Sequence, residues 1–515
     1  MVVKGLFCGV SEYKNFSPLP FCKNDVLALK KAFIDVLDVD NDKIKIIAES
    51  GKIYYKEYIQ KLKEFTKKSG KDDLAVIYFT GHGGIDNEGN NFLCVTDTIN
   101  RKACIYFEQL INLISKAQAK SKLIILDCCH ADNSYGTNIQ NFNVEKAVDE
   151  LYQAGISVFC ACRSRQYSYP YDGRKISAFT KFICDALRYK GIYREDGLYF
   201  NDIKLLVEVY AKVWNSKNVD KIQNPVFRSN MVGTIVFPLK FPKMKEKNRV
   251  YNICTKRFNI IDLKWEVKNN ADPKRKQKVF LVKMIANVDI ENHVDVFVNE
   301  AVQVIKKISL PAITNHQKMS EKWPLDVILF WIGKDRFDVE EGYYKYRAVW
   351  EQGKELYWCE KLGNKRVQKK NIAYCVNESY EQLKQDRLIY VYPDDELKEF
   401  WEKNIKILIG KTEVVINRYR EYENKDVTFK NLQEEAQNAR RELKDTYEKV
   451  FHAYFPLPGS ELKEFGSLSD NLAGLLKELV YLLTLNRDEQ YIVSNFELKL
   501  TEYYQILNKW ENNVV

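Results

Sequence analysis

The chain predicts an α/β protein. A mainly parallel sheet with helices on both faces is expected over residues 1–242, a second α/β or α+β unit over 251–395, and a helical region over 396–515, packed with the middle unit. Three observations carry this reading. Short apolar runs alternate with helical patterns through the first 240 residues, as in parallel sheets whose crossovers are helices. Pro238 and Pro242, followed by the basic stretch Lys243 to Arg249, interrupt regular structure and mark a boundary. From Asp394 onward apolar residues recur at helical spacing. A chain of 515 residues also exceeds what one core supports, so two or three domains are expected.

In order, strands are expected near 2–10, 44–48, 73–80, 121–127, 156–161 and 232–237. Helices are expected near 24–36, 54–67, 106–117, 143–153, 177–188 and 201–214. In the middle unit, Val279 to Val288 and Asp326 to Gly333 read as buried strands with a helix near 294–307 between them. Arg387 to Tyr392 reads as a further strand, ended by Pro393. The aromatics Tyr343, Tyr344, Tyr346, Tyr357 and Trp358 fit strand cores better than a binding surface. Asp426 to Tyr454, Leu468 to Leu485 and Asn495 to Trp510 read as helices, the first with charge pairs involving Glu434, Arg440 and Arg441. No repeat of 20–50 residues is present, which excludes a solenoid.

At 45% hydrophobic and 29% charged, the composition is that of a globular protein. The formal net charge of +10 is modest for this length and its basic clusters lie among acids, so nucleic acid is not an expected partner. No apolar run reaches the roughly 18 residues of a membrane span, and the first seven residues lead straight into a strand pattern, not a signal peptide. Twelve cysteines show no zinc-type spacing, which fits a reducing cytoplasm where a reactive thiol stays available.

Two segments carry chemistry. Val76 to Gly84 and Leu123 to Ala131 each read as an apolar strand ending in a reactive side chain, His82 in one and Cys129 in the other. Ligands bind at such strand ends in open parallel sheets, and right-handed crossovers place neighbouring ends side by side. An imidazole beside a thiol is the pairing a cysteine hydrolase needs. Cys128 competes for the role, but alternate strand residues face opposite ways, so only one of the two faces the crevice.

The His82-then-Cys129 order and spacing, together with Phe7 to Tyr13, Cys22-Lys23-Asn24-Asp25, Tyr78 to Gly83, Asp127-Cys128-Cys129-His130, Ala161 to Ser164, Ser177 to Thr180 and Gln223-Asn224-Pro225, resemble the caspase-like (clan CD) peptidases, closest to metacaspases and their bacterial relatives. The resemblance covers residues 1–240. It implies a caspase-like sheet, Cys129 as nucleophile because it immediately precedes His130, and His82 as its acid–base partner. It implies an oxyanion hole from the amides of Gly83 and Cys129, and an S1 pocket lined by Asp25, Asp127 and Thr80. Two carboxylates there favour a protein substrate with Arg or Lys at P1. Helix capping is the rival reading of Asp25, and a hydrogen-bonded strand-end acid that of Asp127. Thr80 and Ala131 stand where the family often has serine. No cofactor is expected, and calcium activation lacks a clear acidic site beyond Asp132, Asp149 and Glu150. Residues 251–515 are expected to regulate the peptidase or recruit a partner, in a layout similar to bacterial defence or cell-suicide systems. A catalytically silent scaffold and a nucleic-acid-responsive regulator are the competing functions.

Overall fold

The structure is a computed structural model. It describes residues 2–99, 102–130, 140–164, 166–171, 176–194, 196–229, 235–241, 253–255, 257–269, 276–307, 326–353, 357–360, 362, 365–451 and 454–514, and the side chains of Cys129 and His130 lie outside this description. The basic stretch 243–249 and residues Ala131 and Asp132 also fall outside it. The chain divides into two compact units, Met1–Gln385 and Asp386–Val515.

The first unit begins with β1 (Val3–Gly9), α1 (Cys22–Val36), β2 (Ile44–Ile46), α2 (Tyr55–Lys68) and β3 (Leu74–Ile85). A hairpin follows, β4 (Asn91–Ile99) and β5 (Lys102–Tyr106), then α3 (Phe107–Ser115) and β6 (Ser121–His130). Next come β7 (Gln140–Asn141), α4 (Val144–Gln153), β8 (Ser157–Cys160), α5 (Ala178–Arg188), β9 (Leu198–Tyr199), α6 (Phe200–Lys217), β10 (Val226–Arg228) and β11 (Val236–Phe237). The main path of the sheet is β10-β8-β6-β3-β1-β2, parallel throughout except for β10. The strand expected at 232–237 is shorter: β11 leaves the main sheet and pairs with β9, and 232–234 lie outside the described residues.

Period-two alternation divides the strand residues between the two faces. Leu6, Cys8, Ala75, Ile77, Phe79, Ile124, Leu126 and Cys128 share one core with α2, α3 and α4. Phe7 packs edge-on against Phe33 of α1, and Phe159 of β8 against Phe179 of α5 and Phe200 of α6. Gly9 has a specific job here. A Cβ at this position would lie 2.2 Å from the Cys22 carbonyl oxygen, so only glycine lets the first turn of α1 settle on the end of β1.

The unit continues as a seven-stranded mixed sheet, built from β12 (Ile253–Cys254), β13 (Phe258–Asn269), β14 (Lys276–Ala286), β15 (Val327–Gly333), β16 (Tyr346–Glu351), β17 (Val367–Lys369) and β18 (Ile372–Val376) in the order β12-β13-β14-β15-β16-β18-β17. Only β14 and β15 are parallel, and α7 (Val294–Lys306) lies between them in sequence, burying Phe297, Val298, Ala301 and Val302. Three helices complete it, α8 (Arg336–Glu341), α9 (Tyr357–Glu360) and α10 (Tyr380–Leu388). Of the aromatics expected in strand cores, only Tyr346 is a buried strand residue; Tyr344 is buried just before β16, Tyr343 is half-buried there, and Tyr357 and Trp358 are half-buried in α9. The strand expected at Arg387–Tyr392 does not form. Arg387 and Leu388 end α10, Ile389 and Tyr390 are exposed, and only Val391 makes an isolated bridge, to Phe455. A five-residue apolar run cannot by itself distinguish strand from helix end.

Buried polar contacts tie the 251–385 segment to the first sheet's helices. Arg194 pairs with Asp202 at 2.5 Å and lies over the Tyr199 ring at 3.9 Å. Its Nη1 also donates to the Asn259 side-chain oxygen at 2.6 Å. Asn287 Nδ2 donates to the Tyr199 hydroxyl at 3.3 Å, and Arg336 Nη1 to the Gly191 carbonyl at 2.8 Å.

The second unit holds four helices around one core: α11 (Asp394–Glu423), α12 (Phe429–Phe451), α13 (Leu462–Leu483) and α14 (Glu489–Val514). The charge pairs expected around Glu434 do not form with Arg440 or Arg441. Arg440 instead donates to Thr484 Oγ1 and Arg441 to Asn438. No helix among the described residues is long and apolar enough to cross a membrane.

Candidate active site

The site lies where the carboxyl ends of β3 and β6 run side by side. Their parallel register pairs Thr80 with Asp127, Gly81 with Cys128, His82 with Cys129 and Gly83 with His130. The two residues expected to react are therefore neighbours across one ladder. Cys128 is buried in the core shared with α2–α4.

His82 is only 2% exposed. Its ring packs against Tyr13 and Phe16, with centroids 4.7 and 5.8 Å away, and its Nε2 is 2.9 Å from the Ser17 carbonyl oxygen. A carbonyl can only accept, so Nε2 carries the proton in this contact and Nδ1 is left as the basic nitrogen. The His82 backbone N–H donates to the Tyr13 hydroxyl at 2.9 Å. Gly81 makes this possible, since a Cβ there would lie 2.6 Å from that hydroxyl oxygen. The space beside Gly83 is bordered by Phe142, 3.1 Å from where a Cβ would stand. Glycine at 83 thus serves packing whatever its amide does.

Asp25, Thr80 and Asp127 come together one step deeper. Both carboxylates are buried, and neither stands bare. Asp25 accepts from the Thr80 hydroxyl at 3.1 Å and from the Ser177 backbone N–H at 2.7 Å. Asp127 accepts from the hydroxyls of Ser168 and Ser177, both at 2.5 Å, and of Thr180 at 3.1 Å. The Tyr78 hydroxyl is 2.6 Å from that of Thr180 and extends the network. Most of these donors belong to the first turn of α5, which Ser177 caps by accepting from the Thr180 N–H. The positive end of that helix therefore points at both acids. Asp25 does not cap its own helix: it sits within the first turn of α1, and the preceding residue, Phe21, makes no side-chain cap bond. Asp127 is a hydrogen-bonded strand residue, which is compatible with a pocket role.

Burial pushes the Asp25 carboxyl well above its ordinary range, and the neighbouring Asp127 charge pushes it further; the α5 donors oppose this. Burial also raises Asp127, against the pull of Ser168, Ser177 and Thr180. Two adjacent carboxyls in a dry site retain protons that isolated ones would lose.

The donors Ser168, Ser177 and Thr180, and the positioning groups Tyr13 and Ser17, were not assigned roles from sequence. Ser177 was within reach, because serine directly before a helical pattern is a capping signal. Ser168 and Ser17 come from loops with no such signature. Among the described residues, no three His, Cys, Asp or Glu side chains cluster so as to hold a metal ion.

No curated protein matches the chain. Among solved structures, the chain is similar to one described as "structure of pro-sf-caspase-1", at 12% identity and a TM-score of 0.31, over 46% of this chain and 94% of that one. Residues 3–236 match the family described as "Peptidase_C14: Caspase domain". The first sheet and its helices are therefore a caspase-like domain, with the fold of a cysteine peptidase.

Proposed function

We propose that residues 3–236 are a cysteine endopeptidase that cleaves proteins after Arg or Lys through a His82–Cys129 dyad, with residues 251–515 regulating it or recruiting its partner. The observation that carries this reading is the β3–β6 register, which pairs His82 with Cys129 and, two residues earlier, Thr80 with the buried Asp127. His82 Nδ1 takes the thiol proton, the thiolate attacks the scissile carbonyl carbon, and the imidazolium returns the proton to the leaving amine. Water then hydrolyses the thioester with His82 as base. The amides of Gly83 and Cys129 hold the oxyanion.

Specificity follows from Asp25 and Asp127. Their protein donors use part of the roughly four acceptor sites a carboxylate offers, leaving capacity for a guanidinium or ammonium. A cation there is desolvated, where charge-assisted bonds are strongest, and an aspartate meets like charge. Preference for Arg over Asp at P1 should reach about a thousandfold or more. The test is a fluorogenic peptide panel with Arg, Lys, Asp and Leu at P1, run on the full chain and on Cys129→Ala. Activity in Cys129→Ala removes the nucleophile assignment, and equal cleavage after Asp and Arg removes the pocket assignment.

A further inference from the structure

Beyond Thr80 the end of β3 changes neighbours. The β1 ladder stops at Thr80 and the β6 ladder at Gly83. From Gly83 to Ile85 the strand is held on one edge by β4, and at Gly84 and Ile85 it is also paired with β7. A buried amide joins these two flanking segments. Asn91, 1% exposed, opens β4. Its Nδ2 donates to the Asn143 carbonyl oxygen and its Oδ1 accepts from the Asn143 N–H, both at 3.0 Å. One side chain thus imitates a rung of a sheet and clasps the backbone two residues beyond β7.

The clasp is anchored at both ends. Asn143 Oδ1 accepts from the Lys146 N–H at 3.0 Å and so caps α4, while Lys146 Nζ donates to the Gly89 carbonyl oxygen at 2.7 Å, in the turn between β3 and β4. The residues beside the clasp border Gly83. A Cβ on Gly83 would lie 3.1 Å from the Phe142 ring and 3.4 Å from the Phe92 carbonyl oxygen. Phe142 directly precedes Asn143, and Phe92 directly follows Asn91. Phe142 is buried and packs on Phe107, with ring centroids 5.5 Å apart. The two walls of the slot that holds Gly83 are therefore chain neighbours of the two clasped residues. A donor to an oxyanion acts through its aim, and a shift of about 1 Å is enough to cost a large factor in rate.

We propose that Asn91 is a positioning residue for the oxyanion hole: through Asn143 it seats Phe142 against Gly83 and fixes the direction of the Gly83 amide. The inference rests on the peptidase reading above. A clasp that served stability alone would lower Tm and leave the turnover of folded enzyme unchanged.

The test uses the full chain with a P1 Arg peptide of the panel, a peptide aldehyde of the same sequence, and iodoacetamide. With the aldehyde, the thiolate adds to the carbonyl carbon and the electron pair moves onto the oxygen, which then calls on the Gly83 amide. Iodoacetamide loses iodide from a saturated carbon and needs no such donor. Asn91→Ala should lower kcat about tenfold or more with KM within about twofold, weaken aldehyde inhibition by a similar factor, and leave the alkylation rate of Cys129 unchanged. Phe142→Leu keeps the clasp and loosens the contact with Gly83. It should show the same pattern by a smaller factor, and it decides the matter if circular dichroism shows Asn91→Ala unfolded. Native kcat in the folded variants, a change confined to KM, or alkylation that slows in step with turnover overturns the role. A native chain that cleaves no peptide of the panel while Cys129 is still alkylated overturns the peptidase reading, and this role with it. Cleavage by the native chain matched by Asn91→Ala overturns this role alone.

Discussion

Asp25 and Asp127 are buried side by side and held there by the first turn of α5, which makes their protonation a property of the fold as well as of the site. The Asp25 carboxyl is raised above its usual 3.8. Below that pH, folded and unfolded chains are both protonated and the group contributes nothing. As pH rises the unfolded chain ionises first, so stability is lost until the folded value is passed. Asp25→Asn should therefore raise Tm at pH 7.5, by about 2–4 °C for each kcal/mol removed, and leave it unchanged near pH 3.5. Thermal melts at the two pH values check the sign. The same substitution should lower kcat/KM for P1 Arg at least tenfold, since only the ionised carboxyl attracts a cation. If the proposed peptidase activity is measured on the native chain, kcat/KM for P1 Arg should climb with pH through the Asp25 ionisation, and that limb should vanish in Asp25→Asn. Separately, Cys129→Ala should abolish turnover, whereas Cys128→Ala should retain most of it and cost about 1 kcal/mol through the lost core sulfur. Asp25, Thr80 and Asp127 were legible only through the resemblance to caspase-like peptidases, whose segments Cys22 to Asp25, Tyr78 to Gly83 and Asp127 to His130 match. The hydroxyls that satisfy Asp127 were not, since Ser168 reaches it from 41 residues away through tertiary folding alone.

Strand ends position the site, and two glycines set their tolerances. Gly9→Ala would drive a methyl into the Cys22 carbonyl, tilting α1 and displacing Asp25 three residues further on. A loss of about 1–3 kcal/mol is expected, together with reduced kcat/KM for Arg substrates. Gly81→Ala would push the Tyr13 hydroxyl away from the His82 N–H, and Tyr13→Phe removes that acceptor outright. Both should reduce kcat, and a comparison of kcat with KM across the pair separates misplacement of His82 from loss of substrate binding. Most elements of the first 240 residues were readable because strands and helices differ in period and alternate regularly. The β4–β5 hairpin was not foreseen: it lies within a crossover where the alternation predicts only connection, and its register breaks between Cys94 and Ile99. In the middle segment β13 and β16 were missed because each mixes charged and apolar residues, with exposed Arg347 between buried neighbours in β16.

At the scale of the molecule, the compact unit containing the caspase-like domain runs to Gln385, well past the proline-rich junction near 238–242. Ending the chain at residue 242 would strip Arg194, Tyr199 and Gly191 of partners on Asn259, Asn287 and Arg336. With that segment gone these groups face water, so each lost hydrogen bond removes about 0.5–1.5 kcal/mol. A chain of residues 1–242 should therefore melt several degrees below one of 1–385, with circular dichroism as the measure. The junction was visible in composition; its reach was not, because an interface between distant segments leaves no local pattern. α5 has a mechanical consequence. Its N-terminal end grips Asp25 and Asp127, and six residues beyond Arg188 the chain reaches Arg194, which is clasped from the middle segment. Eleven helical residues make a strut about 16 Å long. The strut is held at one end by its bonds to the acids, and from its other end the chain runs only six residues to Arg194, so strain applied at Asn259 or Asn287 would be carried toward the grip on Asp25 and Asp127.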